Sequence, residues 1–414
     1  MISRSEPGFA PRSEWRAGWK LVLSTAMGVG ASSVHYHSVG VMIIPLEQAM
    51  GWSRSEISSG LLIVSVTGMF CTVLAGLLAD RIGVRRVAIT GLFFYAFAFA
   101  AIGFSGPSIA SWYAAWGVMA VAASVSSGMI WNIAIVSRFE KHRGLALALT
   151  LSGSGVYIAI VPPVMLAFVD NFDWRAAYFG MGAFILLAAA PVALAFFRDA
   201  HDLRRVASPD EIIPDARSSK TGLNIPEALQ GRQMWQIAVS FFSIAILVGT
   251  LLVHMQPMLI EAGVTQKTAA FVVSIIGPSL IAGRLIAGTL LDRYPTRAIA
   301  GVVPLFAATS CLLLLQFDGS LWVAILAAIL LGAATGAEGD LLAFVVARYL
   351  GSKNFGSLAA VVAGIFGVGM GLSPVLAGAS YDALGSYNPL LITCVVAALL
   401  ASTLFFTLGR PPRY

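Results

Sequence analysis

Six ionisable side chains fall inside long apolar stretches of this 414-residue chain: His35, His37, His254, Arg284, Glu338 and Asp340. Burying charge in a low-dielectric medium is costly, so each needs a partner or a task. Arg284 keeps its charge under all conditions, and its planar fork fits a carboxylate at two points. It either holds an anionic ligand or pairs internally with Glu338 or Asp340. A buried carboxyl favours its neutral form and a nearby guanidinium its ionised form. An anion that occupies Arg284 would therefore release a carboxylate to accept a proton. Glu338 is the favoured proton site of the two. Glu338 and Asp340 are two residues apart, about 200° of helix rotation, so only one is expected to face a shared cavity squarely. His35 and His37 flank Tyr36, and imidazoles titrate near neutral pH. They are candidates for proton or ligand binding, with packing as the alternative. His254, just before Pro257, is a further cavity candidate.

The apolar stretches that carry these groups dominate the sequence. Hydrophobic residues make up 58% of the chain and charged residues 11%, against roughly a quarter charged in a soluble domain. Mean hydropathy is +0.84. This balance excludes a soluble enzyme, a disordered chain and a nucleic-acid binder, although the net charge is +6. Spanning a bilayer takes about 20 apolar residues. Twelve runs qualify: 19–46, 57–79, 87–105, 110–137, 144–169, 174–197, 233–260, 268–291, 298–317, 321–347, 356–381 and 388–409. The expected fold is an all-α membrane protein of twelve transmembrane helices in two six-helix bundles, 1–197 and 233–414. Residues 198–232, rich in charge and proline, form the linker. Arg284 lies about 12 Å of helix rise before Asp292, and Glu338 and Asp340 about 15 and 12 Å before Arg348. All three are thus expected at membrane depth.

The remaining charges set orientation. If the N-terminus is cytoplasmic, 22 of the 26 basic residues fall in cytoplasmic segments, and only Arg54, Arg175 and Lys267 fall outside. So strong a bias places both termini and the linker in the cytoplasm. No cleavable leader is expected, because the first nineteen residues lack an apolar core. Cys71, Cys311 and Cys394 lie in separate apolar runs, giving neither a metal spacing nor a disulfide framework. No nucleotide motif is present, and no cofactor is expected.

Comparison of the halves at an offset of 212 residues aligns Pro45 with Pro257, and Gly155, Pro162 and Asp170 with Gly367, Pro374 and Asp382. It also aligns Gly76, Asp80, Arg81 and Arg85 with Gly288, Asp292, Arg293 and Arg297. Charges are scarce here, so their recurrence argues for a duplicated chain with its site between the halves.

Residues 76–86, Gly-Leu-Leu-Ala-Asp-Arg-Ile-Gly-Val-Arg-Arg, resemble the loop 2–3 signature of the major facilitator superfamily, G-x-x-x-D-R-x-G-x-R-R. A degenerate copy runs from Gly288 to Arg297. The resemblance implies two pseudo-symmetric bundles and alternating access. It also makes Asp80, Arg81, Arg85, Asp292, Arg293 and Arg297 a cytoplasmic gate that latches the outward-open state. Residues 138–155 are similar to the pattern before and within helix 5 of the monocarboxylate porters, although the first glycine of that pattern's GLA is missing. Arg284 stands where those porters and the oxalate/formate exchangers carry a substrate-binding arginine, and His37 lies close to the porters' helix-1 lysine. Two departures matter. Leu280 replaces the porters' helix-8 aspartate, and 356–381 holds no Lys or Arg for the second cation of oxalate exchangers. A monoanion is therefore favoured over a dicarboxylate. The resemblance also makes Asn132, Trp131 and Tyr157 candidates to line the cavity, with plain packing the favoured reading for each one alone.

The function implied is secondary transport of a small organic anion, a monocarboxylate, with protons. The rivals are an anion exchanger without proton movement, a drug or metabolite exporter, and a non-transporting membrane sensor. The expected setting is the inner (cytoplasmic) membrane, with the lipid bilayer and the substrate as partners, no nucleic acid, and a monomer as the working unit.

Overall fold

The computed structural model describes residues 11–198 and 222–412. The charged linker residues from Asp199 to Lys220, and Arg413, lie outside them. The described residues are helical almost throughout. The N-terminal half contains α1 (Pro11–Ala31), α2 (Val34–Met50), α3 (Arg54–Ile82), α4 (Val84–Ala101), α5 (Ile109–Val125), α6 (Gly128–Arg138), α7 (Arg143–Leu151), α8 (Gly153–Asn171) and α9 (Trp174–Phe196). After the linker come α10 (Ile225–Gln230), α11 (Arg232–Glu261), α12 (Gln266–Arg293), α13 (Thr296–Leu315), α14 (Leu321–Leu350), α15 (Phe355–Leu384) and α16 (Asn388–Phe406).

Eleven helical stretches among the described residues are long and apolar enough to cross a membrane. The first apolar run supplies the remaining span as two pieces, α1 and α2, parted at Ser32 and Ser33. The break has a local cause. Ser32 Oγ donates to Val29 O (2.8 Å) and Ser33 Oγ to Gly30 O (2.7 Å), hydrogen bonds that compete with the helix ladder. Serines also mark the joints between α5 and α6, at 126–127, and between α7 and α8, at Ser152. Hydropathy reads these spans as continuous runs because it is blind to such interruptions.

Two buried cores form, one in each half. The N-terminal core is aromatic: Trp112 packs on Trp52, Trp116 and Tyr178. The C-terminal core is aliphatic and joins all six spans of that half. In it, Cys311 of α13 and Cys394 of α16 lie within hydrogen-bonding reach, a contact that their separation in sequence conceals. The end of the linker docks on the C-terminal half. Leu223 N–H donates to Leu350 O (3.1 Å), and Asn354 Nδ2 donates to Leu223 O (3.0 Å).

The glycine of the Asp-Arg-x-Gly stretch has a clear task. Gly83 alone separates α3 from α4 at φ 95°, a conformation that a Cβ would strain. The neighbouring Arg85 donates to Leu194 O at the end of α9 (3.2 Å).

The seam between α12 and α14 positions the charged site. Gly283, Gly332 and Gly336 let the two backbones touch: a Cβ on Gly336 would collide with Leu280 O and crowd Arg284 N, and one on Gly332 would meet Ile276 O. Gly336→Ala is therefore expected to cost about 1–3 kcal/mol through overpacking, read as a lower melting temperature in detergent. Gly288→Ala, on the facing helix α12 with open space around it, should melt no lower than the parent.

Candidate functional site

The glycine seam brings the Glu338-Gly339-Asp340 turn of α14 against Arg284 of α12. The guanidinium lies over Gly339, with Nη2 3.6 Å from where a Cβ would stand. A Cβ there would make ordinary van der Waals contact with it. Arg284 Nε is 3.8 Å from Asp340 Oδ2, an ion pair longer than a hydrogen bond. Glu338 also acts electrostatically on Arg284, less strongly than Asp340 does. Asp340 is thus the direct ion-pair partner of Arg284, and Glu338 acts on the same cation from farther away.

Burial and hydrogen bonding single this cluster out. Arg284 is 7% exposed and Glu338 8%. Arg284 Nε and Nη1 and Glu338 Oε2 have no hydrogen-bond partner among the described residues. Buried polar atoms are normally satisfied, and an unsatisfied one calls for an explanation. Here two donors of a permanent cation and one carboxyl oxygen are left open together. Tyr36, a neutral phenol, lies within electrostatic reach of Glu338. Its hydroxyl donates to Met370 O of α15 (3.0 Å), which ties the N-terminal half to the C-terminal half. His37 packs edge-on against Tyr36, is partly exposed, and has no hydrogen-bond partner among the described residues.

Other sequence candidates lie elsewhere. His35 is engaged within the N-terminal half: Nδ1 is 2.9 Å from Tyr95 Oη, and its ring meets Tyr95 edge-on. Asn132 Oδ1 accepts from Thr150 Oγ1 (3.2 Å), clamping α6 to α7. Tyr157 packs against Gly30 of α1 and is 2% exposed, and its hydroxyl has no partner among the described residues. His254 is fully buried with both ring nitrogens occupied. Nε2 donates to Pro374 O (2.8 Å), which leaves Nδ1 to accept from Tyr387 Oη (3.0 Å). It belongs to a seal between the halves and has no nitrogen left for a ligand.

That seal lies at the end of the bundle opposite the basic loops. Gly155 meets Gly277, Gly40 meets Val253 O, and Gly371 meets Ser65. Arg54, which the sequence places at a loop edge, is 2% exposed at its centre. It bonds Glu47 of its own half, and Glu261 and Tyr387 of the other. Towards the basic end the halves part beside a groove of about 460 Å³, lined by Met69 on one side and Phe242, Ala360 and Gly364 on the other. Asp80, Arg81, Asp292, Arg293 and Arg297 are exposed there. Among the described residues no ion pair joins them across the halves.

The comparisons identify the family and the fold. The family model of the Major Facilitator Superfamily matches residues 21–345 and 279–414. Monocarboxylate transporter 12 of Rattus norvegicus is 23% identical, over 97% of this chain and 87% of its own length. An uncharacterized MFS-type transporter of Bacillus subtilis, YcxA, is 24% identical over 70% of this chain and 68% of its own. Among solved structures, a bacterial homolog of the human lysosomal transporter Spinster, described as inward-facing and unoccupied, superposes with a TM-score of 0.70. It has 15% identity and covers 96% of this chain and 97% of that one. The chain is a multi-pass membrane protein related to monocarboxylate transporters, and it belongs to the Major Facilitator Superfamily.

Proposed function

We propose that the protein transports a small monocarboxylate together with a proton, by alternating access of the Arg284 site to the two sides of the membrane. The observation that carries this reading is the buried guanidinium with two open donors beside Glu338 and Asp340. A carboxylate fits that fork at two points.

Charge balance then dictates the coupling. Without substrate, Asp340 balances Arg284. An incoming anion takes over the guanidinium and leaves a second negative charge in a buried site. Uptake of one proton by the Glu338–Asp340 pair restores neutrality, and the loaded site can be reoriented without moving net charge. Asp340, the nearer partner, is the group displaced. Glu338, with its open oxygen, shares the proton or presents it to the substrate. Tyr36 and His37 stand on the opposite half as its second wall. The excess of basic residues in one set of loops supports a reading in which both termini face the cytoplasm, the inner membrane holds the protein, and it works as a monomer. With the far end sealed, the conformation is the inward-facing one. In that state the gate of Asp80, Arg81, Arg85, Asp292, Arg293 and Arg297 is open.

Proteoliposomes holding a trapped pH indicator test this directly. Under symport, adding a permeant-free monocarboxylate outside should acidify the lumen as anion and proton enter together. Uptake that occurs only with an internal counter-anion, and with no pH change, would instead establish exchange.

A further inference from the structure

We propose that Arg54 is the latch of the far-end gate, and that the gate is one-sided: the seam between α3 and α15 carries the lock, and its pseudo-symmetric counterpart between α8 and α12 does not. The inference rests on the transport reading, since a latch matters only if that end must open.

The locked seam is dense with charge-assisted contacts. The Arg54 guanidinium is wedged between Glu47 of its own half (3.1 Å) and Glu261 of the other. Its Nη1 donates to Tyr387 Oη (2.8 Å), and its carbon sits 3.5 Å from the Tyr381 ring centre. Tyr387 passes the contact on to His254, which holds Pro374 O. Asp382, at the end of α15, caps the first turn of α3. It accepts from Arg54 N–H and Ser55 N–H, both at 3.0 Å, and from Ser55 Oγ at 2.6 Å. A carboxylate is well placed at a helix N-terminus. Gly378 makes this approach possible, because a Cβ there would strike the Arg54–Ser55 backbone.

At the offset of 212 residues the same parts are missing from the other seam. Arg54 corresponds to Gln266, Glu47 to Leu259, Glu261 to Ala49, Tyr381 to Val169, and Gly378 to Leu166. Only the aspartate recurs, as Asp170. Its contact there is Lys267 at 3.9 Å, with the lysine side chain 84% exposed. An exposed pair of that length contributes little. Past the close contact at Gly155 and Gly277, the two helices diverge and leave a groove of about 680 Å³ lined by Leu166, Asp170, Lys267 and Phe271. Duplication supplied two seams, and only one carries the lock. Removal of Arg54 does more than delete bonds, because Glu47 and Glu261 would then face each other across the seam as like charges.

The test uses the purified full-length protein with Cys71, Cys311 and Cys394 replaced by alanine and a single reporter, Ser58→Cys. Position 58 is fully buried beneath the latch. The readout is the rate of labelling by a polar maleimide. Arg54→Gln should raise that rate at least tenfold, and Lys267→Gln should leave it within twofold of the parent. Equal rates for Arg54→Gln and the parent, or an equal rise in both variants, would overturn the proposal. If Arg54→Gln does not fold, Tyr387→Phe decides. It removes one hydroxyl that links Arg54 to His254 and should raise labelling several-fold, and an unchanged rate contradicts the latch. The assay needs no substrate. A parent that labels as expected yet moves no anion would refute the transport reading while leaving the latch intact.

Discussion

Arg284→Ala is expected to reduce uptake of the transported anion at least 100-fold, measured as initial rates in proteoliposomes at matched protein content. Removal of one member of a buried charge pair typically costs about 2–5 kcal/mol, and each 1.4 kcal/mol is a tenfold change in affinity. Two losses coincide here. The substrate loses its cation, and Asp340 and Glu338 become buried carboxylates without a counter-charge. The second loss also lowers stability, so Arg284→Lys is the informative companion. Lysine keeps the charge but not the planar fork. It should fold like the parent and still lose most of its uptake, because Arg284 Nε and Nη1, the open donors, are what a carboxylate would engage.

The second large effect is expected from Asp340→Asn. If Asp340 is the counter-ion that substrate displaces, asparagine removes the need for a proton when the anion binds. Accumulation driven by a pH gradient should collapse to the level seen without one, while exchange of labelled for unlabelled anion continues. One pH unit supplies about 1.4 kcal/mol, enough for tenfold accumulation at one proton per anion, so the loss is easily measured. Anion binding should also change character. In the parent it strengthens as pH falls, since binding takes up a proton, and in Asp340→Asn it should be independent of pH. Glu338→Gln is the counterpart. Loss of coupling there with coupling intact in Asp340→Asn would move the proton to Glu338 and contradict the counter-ion assignment.

The central cluster was legible in the sequence for a physical reason. In a chain with 11% charged residues, a charge at membrane depth stands out, and helix rise alone puts Arg284, Glu338 and Asp340 at matching depths. Rotation about α14 was a poorer guide. It separated Glu338 from Asp340 without saying which of them pairs with Arg284, and that partner is Asp340. The spans were legible from hydropathy, but the serine joints at 32–33, 126–127 and 152 were not, because a serine that bonds back to its own helix barely changes local hydropathy.

The far-end latch shows the opposite case. Arg54, Glu47, Glu261 and Asp382 each stand at the edge of an apolar run, where a charged residue is ordinarily solvated. They converge from sequence separations of up to 328 residues, and nothing local marks them as buried. The duplication held the one usable clue, since Asp170 and Asp382 recur while Arg54 has no basic counterpart. His254 reads as a cavity residue from its depth alone. Its place in the seal follows from Tyr387 and Pro374, which sequence spacing does not bring near it.

Ligand-induced thermal stabilisation of the purified protein is the decisive probe of a carboxylate site at Arg284. A panel of short monocarboxylates, each paired with its neutral amide, would be run on the parent and on Arg284→Lys. At least one acid should raise the parent's melting temperature, its amide should not, and the shift should disappear in Arg284→Lys. An acid that stabilises both proteins equally would place the anion elsewhere and contradict the claim.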